Sequence, residues 1–459
     1  MTMRRRRIAA GCVVLACGVL AGRAGAQTVP GPPLTLVLPE GQAAPPLVIT
    51  WLDALERARA NDAQFQSAIT DAKVAGEERA QARAGLFPAI SATTQYLGTQ
   101  GDTPLATGRF VSNDGVNMYR AWLVAHQELS PNMLTPVKRA SAAEVLAGAK
   151  VDIARRGLTV TLTQRYYALV TAERKYATAQ QAVQQARRFF DIAGQQERLG
   201  QVARADTVKA EIQFRQLEQA YREAALQIEN ARLQLAVLLF PALNQNFTVV
   251  DDLATAPPLP EFSEARSLAE HDNPDLRVAM AALRVAEQDV RGAKNAFLPT
   301  LLIDADYGIE ANEFALHSVA VAQPELGVLP NLGYFVTVNL SVPIWDWGGL
   351  RSKLHQSTAR AAQAQVELTQ AQRQMVSNLY SLYNEALAAR AASDSAQRIA
   401  DLAAESLRLI NLRYQAGEST ALEVVDAQNT LVRTRDEYDA ALIRYRVAIA
   451  ALQTVTGTF

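Results

Sequence analysis

Apolar and small residues recur at alternating steps of three and four along several long stretches of the chain. This spacing places the side chains on one face of a helix and is typical of coiled coils. It predicts long helices over about 134–198, 205–240, 350–413 and 420–455. A helix of the first length would extend about 90–100 Å, which is too long for a compact globule, so we expect a coiled-coil hairpin or a tube. The positions that define the pattern include Ala172, Tyr176, Ala179, Val183, Ala186, Phe190 and Ala193 and, in the last helix, Val424, Ala427, Leu431, Thr434, Tyr438, Ala441, Tyr445 and Ala448.

Four shorter segments instead alternate apolar and polar residues with a period of two, which is typical of β-strands. They cover about 90–97, 119–129, 301–310 and 334–344. Strands of about 9–11 residues with one apolar face suit the wall of a transmembrane barrel, although an ordinary sheet packed on helices would show the same alternation. The apolar face is clear in the third segment, where it consists of Leu301, Ile303, Ala305, Tyr307 and Ile309.

Four strands are too few to close a barrel, because about eight are needed. If these strands contact lipid, their open edges are not tolerated, so the chain must form an oligomer. Three chains would supply twelve strands and twelve helical columns. Tyr334, Trp345 and Trp347 lie near strand ends, where the aromatic girdles of membrane barrels are found.

The chain contains two copies of the same pattern. Residues 60–88 align with residues 271–299 without a gap, and the match includes Pro88 with Pro299. Each copy predicts the order helix, strand, loop, strand, long helix, tight turn, helix. A second block aligns at a slightly larger offset and pairs Tyr166 with Tyr383, Gly200 with Gly417, and Tyr221 with Tyr438.

This duplication sets the expected domain boundaries. The first repeat covers about 49–241 and the second about 263–457, and the proline-containing linker 242–262 joins them. A Pro-rich strap over 27–48 precedes the first repeat and is expected to be extended. The predicted fold is mainly α with a small β part, built from an internally duplicated helix-strand-strand-helix-helix unit.

The N-terminus has the pattern of a secretory signal peptide. Arg4–Arg7 form a basic segment, Ile8–Gly22 form an apolar segment, and Ala24–Ala26 provide a small-residue cleavage site. Removing residues 1–26 would take five Arg and no acid from 45 basic and 46 acidic residues, which leaves a net charge of −6. That balance argues against a nucleic-acid-binding protein. Cys17 also ends a loose lipobox, so its lipidation is the alternative to this cleavage.

The sequence carries none of the motifs of an enzyme. It has no phosphate-binding glycine loop, no nucleophile elbow and no HExxH zinc motif. Both cysteines precede the predicted cleavage site, so the mature chain would have no thiol for a disulfide or a metal. The four histidines are scattered through helix, strand and loop contexts. We therefore expect no catalysis, no cofactor and no bound metal.

Several segments resemble the TolC-like outer-membrane efflux protein family, and the resemblance covers about 50–457. The most specific of them is Tyr414–Gln428, with the sequence YQAGESTALEVVDAQ, and Leu199–Val208 is its weaker counterpart in the first copy. Phe297–Pro299, before the third strand, and Val342–Gly349, after the fourth, also look like the family. The duplication together with these segments supports the resemblance.

The resemblance implies a homotrimer in which a twelve-stranded β-barrel lies in the lipid of the outer membrane and continues as an α-helical coiled-coil tunnel through the periplasm. It also implies a passive duct of a tripartite efflux or type I secretion system. Such a duct receives small molecules or peptides from an inner-membrane pump and a periplasmic adaptor protein. The alternative function is a periplasmic coiled-coil scaffold, or an adaptor-type interaction protein, without a pore.

The resemblance further places named residues at the periplasmic entrance of the tunnel. Glu423 and Asp426 fall on acidic positions that narrow the entrance, and their spacing of three puts both on one helix face. Tyr414 and Asp206 match positions of the gate network. Ser419 stands where the best-known gate of the family has Arg, so we expect closure to be looser or differently bonded. The resemblance also places the tip turns that dock on the adaptor at Gly200 and Gly417. Glycine suits such turns because it accepts a positive φ at little cost.

Overall fold

A computed structural model describes residues 45–98, 117–243, 246–255, 257–311, 314–317 and 330–458 of the chain. The predicted signal peptide, with Cys17, and most of the Pro-rich strap lie outside the described residues, as do most of the two loops that join the strand pairs. Among the helices that are described, none contains the apolar stretch that a membrane crossing would require.

The described chain is mainly helical with a small β part, and it passes through the same order of elements twice, which confirms the predicted fold class. A short strand precedes the first helix of each copy, β1 (Leu47–Ile49) in the first and β4 (Phe247–Val249) in the second. The first copy contains α1 (Trp51–Asn61), α2 (Ala63–Ala84), β2 (Ala89–Gly98), β3 (Asn117–Leu129), α3 (Leu134–Arg198) and α4 (Arg204–Leu239). The second copy contains α5 (Phe262–Asp272), α6 (Pro274–Asn295), β5 (Thr300–Ala311), β6 (Leu332–Ser341), α7 (Gly349–Gln415) and α8 (Ala421–Thr456).

In each copy one long helix is accompanied by two shorter helices. α3 packs against α2 and α4, and α7 packs against α6 and α8. With 65 residues, α3 extends about 97 Å at 1.5 Å per residue, and α2 and α4 together, with 22 and 36 residues, extend about 87 Å. Because α3 also packs against α6 and α8, the two copies are joined side by side. Each chain therefore forms four long helical columns.

A capping residue divides the first helical segment of each copy into two helices, where the sequence pattern predicted one. The Asp62 carboxylate accepts a hydrogen bond from the Phe65 N–H at 2.7 Å, which begins α2. In the second copy the Asn273 side chain accepts from the Leu276 N–H at 2.9 Å and begins α6. Asp and Asn are favoured at this position because they satisfy an N–H of the first turn that has no partner within the helix.

The largest buried cluster lies beside the two short strands. β1 and β4 pair in parallel, with Ile49 opposite Val249. The buried Tyr166 hydroxyl of α3 donates to the Val250 carbonyl at 2.8 Å and accepts from the Val250 N–H at 3.1 Å. This cluster fixes the linker and the end of the strap to α3, and its leucines include Leu162, Leu169, Leu235 and Leu239.

The four longer strands form one antiparallel sheet in the order β2-β3-β5-β6. β3 and β5 join the two copies, with Ala125 opposite Ala305. β2 and β6 are the outer strands, and each has one edge without a partner strand among the described residues.

The last strand is shorter than the alternation of its residues predicted. We expected a strand to about 344, but β6 ends at Ser341, which pairs with Thr300 at the start of β5. Pro299 precedes Thr300, so the neighbouring strand offers no partner beyond this point. Pro343 also lacks the N–H that a strand would need to continue.

Candidate functional site

The register of the sheet sorts its side chains into two chemically different faces. Side chains alternate between the faces along each strand, and residues that pair across strands share a face. One face carries no Asp, Glu, Lys, Arg or His among the described residues, and its polar members, which include Thr94 and Gln127, are uncharged. We call it the apolar face, and its members include Ile90, Leu123, Ala305, Tyr307, Val336, Val338 and Leu340.

The opposite face, which we call the polar face, carries all the charged side chains of the described sheet. The Arg120 guanidinium lies 2.8 Å from a carboxylate oxygen of Glu310, and it donates to the Gln95 side chain at 3.2 Å. The His126 Nδ1 lies 2.6 Å from a carboxylate oxygen of Asp304. Cross-strand contacts thus connect β2, β3 and β5, and the charged residues of this face are Arg120, His126, Glu128, Asp304, Asp306 and Glu310.

No described helix packs against the sheet to cover its apolar face. Tyr334 is 81% exposed, Leu340 is 67% exposed and Val336 is 58% exposed. A contiguous exposed apolar surface of this kind marks contact with a membrane or another protein. The described structure therefore contradicts the alternative that the sheet packs on helices of its own chain.

The two turns that join the long helices end in glycines with left-handed backbone. Gly200 has φ 70° and Gly417 has φ 79°. In each turn the glycine N–H donates to the carbonyl three residues earlier, and the next N–H donates to the carbonyl five residues earlier, at 2.9–3.0 Å. This is the Schellman motif, in which glycine avoids the strain that a β-carbon would bring at positive φ. A β-carbon built on either glycine would meet no atom within 4 Å, so both turns are open.

One small apolar cluster connects all four long helices near these turns. The Tyr414 ring lies edge-on to the Phe189 ring, with the centroids 5.1 Å apart. The Thr207 hydroxyl of α4 donates to the Ala193 carbonyl of α3 at 3.4 Å. The cluster therefore joins α4 and α7, the helices that carry the predicted gate residues Asp206 and Tyr414. Its buried members are Phe189, Ala193, Ala210, Tyr414, Ala421 and Val424.

The Tyr414 hydroxyl is buried and has no hydrogen-bond partner among the described residues. Burial raises the pKa of Tyr414, and the negative charge of Asp206 raises it further. Asp206 is half-buried in the first turn of α4, and its carboxylate lies 4.0 Å from the Lys209 ammonium. The two predicted gate residues thus interact through charge, without a hydrogen bond from the Tyr414 hydroxyl.

We expect Tyr414→Phe to leave the free energy of unfolding unchanged, or to raise it by up to about 1 kcal/mol, because a buried hydroxyl without a partner is unfavourable. Tyr166→Phe is the matched control, since the Tyr166 hydroxyl bonds the Val250 backbone, and it should lower the free energy by about 1–2 kcal/mol. Denaturant unfolding of the purified protein measures both. An equal loss in the two variants would contradict this description of Tyr414.

Glu423 is exposed in the first turn of α8, where two hydroxyl groups hold its carboxylate. It accepts hydrogen bonds from the Ser419 hydroxyl at 2.7 Å and from the Thr420 hydroxyl at 3.2 Å. The Ser419 bond, followed by those of Thr420, lowers the pKa of Glu423 below its ordinary value. Ser419, which stands where the family resemblance led us to look for Arg, therefore forms a local bond at the turn.

Asp426 lies one turn further along α8 and is also exposed.

The sequence analysis missed the bonds that Ser419 and Thr420 make to Glu423. The signal for them was available, because Thr420 and Glu423 have the spacing of a helix-capping box. In the part of the chain that the structure describes, no group of three His, Cys, Asp or Glu could hold a metal ion.

Comparisons with known proteins relate both copies to one family. The family model described as Outer membrane efflux protein matches residues 54–239 and 265–458. Outer membrane efflux protein BepC of Brucella suis is 26% identical over 430 residues, covering 91% of this chain and 87% of the relative. Alkaline protease secretion protein AprF of Pseudomonas aeruginosa is 23% identical over 419 residues, covering 88% of this chain and 84% of the relative.

Solved structures share the fold. The Campylobacter jejuni CmeC outer membrane channel is similar with a TM-score of 0.75 at 16% identity, covering 89% of this chain and 85% of that one. The Neisseria gonorrhoeae MtrE outer membrane channel is similar with a TM-score of 0.73 at 20% identity, covering 89% of this chain and 88% of that one. Since the family model matches most of the sequence, with one segment for each copy, the chain belongs to the outer membrane efflux protein family.

Proposed function

We propose that three copies of this outer-membrane efflux protein close their sheets into one twelve-stranded β-barrel, which continues into the periplasm as a tunnel of twelve helical columns. The observation that carries this proposal is the sheet, which among the described residues has an uncovered apolar face, a charged face and two open edges. Lipid would cover the apolar face, the water-filled lumen would solvate the polar face, and a strand of the next copy would pair with each edge.

The strand order is compatible with closure of this kind. Neighbouring strands all run antiparallel, so β6 of one copy would meet β2 of the next copy antiparallel as well. Strands of 10 to 13 residues extend about 33–43 Å and, at a tilt of about 40°, cross an apolar band of about 25 Å. Two copies would give a barrel of only eight strands. The interior of a barrel of that size is filled by side chains. A duct therefore needs at least three copies.

We infer that transport through the duct is passive and involves no catalysis by this chain. An inner-membrane pump would supply the driving force, and a periplasmic adaptor would dock on the turns at Gly200 and Gly417. One relative is named for efflux and another for secretion of alkaline protease. Small toxic molecules and polypeptides are therefore both candidate cargo, and the pump would select between them.

Glu423 and Asp426 would place six carboxylates around the periplasmic mouth of a trimer. Such a ring attracts cations, so replacing both by their amides should lower the permeability ratio of potassium over chloride by roughly threefold or more. Reversal potentials in planar bilayers measure this ratio. Glu437→Gln, on the same helix but further from the turn, is the control and should leave the ratio unchanged. An unchanged ratio in the double variant would contradict an acidic mouth.

The proposed duct is tested by purifying the protein from outer membranes and recording it in planar bilayers. We expect a three-chain complex that requires detergent and conducts ions. The second candidate, a periplasmic scaffold or adaptor-type protein, would cover the apolar face with a protein partner. It predicts a protein that purifies without detergent and forms no conducting pore.

A further inference from the structure

We propose that the polar face carries a binding site for bulky organic cations, formed within one chain by Asp306, Trp122 and Phe335. The inference rests on the proposed function, which places this face along the lumen where cargo passes. All three residues lie in the middle or outer part of their strands, on the side of the strand-connecting loops. The site would therefore contact cargo in the last part of its path.

Asp306 is a carboxylate on the polar face without a partner in the described chain. The residue is 7% exposed, and its side chain makes no hydrogen bond or ion pair to another described residue. By contrast, the other two acids of β5, Asp304 and Glu310, each contact a basic side chain of β3. The Asp306 carboxylate can therefore pair with a cation from outside the chain.

Two aromatic rings flank this carboxylate. Phe335 pairs with Asp306 in the sheet register, and the Trp122 ring lies edge-on to the Phe335 ring with centroids 5.0 Å apart. The Trp122 indole also lies over Gly308, because a β-carbon there would be 2.7 Å from the Trp122 Cδ1. Gly333, which pairs with Gly308 on β6, likewise adds no side chain next to the indole. The indole can therefore lie along the wall, beside the unpaired carboxylate.

The charges of the polar face favour a cation over an anion. The Arg120 guanidinium lies 5.6 Å from the centre of the Trp122 ring, within the range of a cation–π contact. Glu310 neutralises that guanidinium at 2.8 Å. The described sheet carries four carboxylates on this face against one arginine and one histidine, so its balance is negative.

The contacts also select the class of cation. A small metal ion requires several oxygen ligands, whereas Asp306 is the unpaired carboxylate at this position. A quaternary ammonium ion, a phosphonium ion or a protonated aromatic amine needs one opposite charge and an aromatic face. Asp306 offers the charge, and Phe335 and Trp122 offer the aromatic face. The ligand is therefore a bulky organic cation.

Equilibrium dialysis of tetraphenylphosphonium against the full, detergent-solubilised protein tests the site. We expect saturable binding, and Asp306→Asn and Phe335→Leu should each weaken it about tenfold, since each removes one of the two contacts. Glu128→Gln is the matched control, because Glu128 is an exposed acid of the same face that pairs with Leu302 and has no aromatic partner in register. The control should change the dissociation constant less than about twofold.

Two results would overturn the site. One is the absence of saturable binding to the wild-type protein, and the other is an equal weakening in Asp306→Asn and Glu128→Gln, which would indicate a general charge effect. If Asp306→Asn does not fold, the dissociation constants of Phe335→Leu and Glu128→Gln are compared instead. An equal weakening of binding in these two variants would overturn the site.

Planar-bilayer recordings of the same preparations separate this inference from the duct itself. The three residues belong to one chain, so dialysis does not require a closed barrel. Conductance without saturable binding would overturn the cation site alone. Binding that Asp306→Asn weakens, in a protein that never conducts, would overturn the duct and retain the site.

Discussion

Replacing Val336 by lysine is expected to abolish assembly of the protein in the outer membrane. Val336 lies on the apolar face near the middle of β6 and is 58% exposed. A lysine that faces lipid near the middle of a bilayer costs about 2–4 kcal/mol, and a closed trimer would carry this cost three times. Immunoblots of outer-membrane fractions, run without boiling, measure the loss of the assembled complex.

Thr337→Lys is the matched control for this prediction. Thr337 is the next residue along β6, so its side chain lies on the polar face, where it is opposite Asp304. A lysine there would enter the lumen beside a carboxylate, and we expect assembly to be retained. If both lysine variants assemble equally well, or both fail equally, the assignment of the two faces to lipid and lumen is wrong.

Gly308→Ala is expected to destabilise the sheet by about 3 kcal/mol, the upper part of the range for an overpacked site. A β-carbon at this position would collide with the Ala121 carbonyl oxygen and would lie 2.7 Å from the Trp122 Cα. Both are backbone atoms of the neighbouring strand, so they can move only by distorting the sheet. Denaturant unfolding of the purified protein measures the change.

Gly333→Ala provides the comparison, because Gly333 pairs with Gly308 and lies on the same face. A β-carbon at Gly333 would meet no atom within 4 Å. We expect its free energy of unfolding to stay the same or to rise by less than about 1 kcal/mol, since alanine restricts the unfolded chain more than glycine does. Similar losses in the two variants would show that the β3 backbone does not approach Gly308 as closely as described.

The long helices and the sheet could be predicted from the sequence because their signals are local. Steps of three and four mark parts of α3 and α7, which are 65 and 67 residues long. A period of two marks the strands and also assigns Val336 and Thr337 to opposite faces. The fold class followed from these two periods and from the duplication.

Other parts of the fold depend on contacts that no local pattern carries. The parallel pairing of β1 with β4 joins segments about 200 residues apart, and each strand has only three residues. The helix breaks at Asp62 and Asn273 are visible as capping residues only once the helix direction is known. The early end of β6 at Ser341 depends on where its partner strand begins.

The residues of the candidate site were likewise only partly predictable. The glycine turns and the acids near them could be found because Gly200 and Gly417 occupy equivalent places in the two copies. The unpaired Tyr414 hydroxyl and its packing on Phe189 arise between α3 and α7, and only the folded structure brings these helices together. Asp306 looks like any polar-face acid in the sequence, and only its low residue exposure and its lack of a partner among the described residues distinguish it.

Closure of the sheet between copies can be tested with cysteines on both outer strands. The natural cysteines, Cys12 and Cys17, both precede the predicted cleavage site. Ser91→Cys lies on β2 and Thr337→Cys lies on β6, and within one chain they are separated by three strand spacings, or about 14 Å, and by two residues along the strands. A bismaleimide too short for that span should therefore join cysteines of neighbouring copies only.

We predict that the doubly substituted protein, cross-linked in outer membranes, gives a covalent three-chain product and nothing larger, because a ring of three leaves no open edge. Either single substitution should give single chains. A ladder of products beyond three chains, or single chains from the double variant, would contradict a closed barrel of three copies.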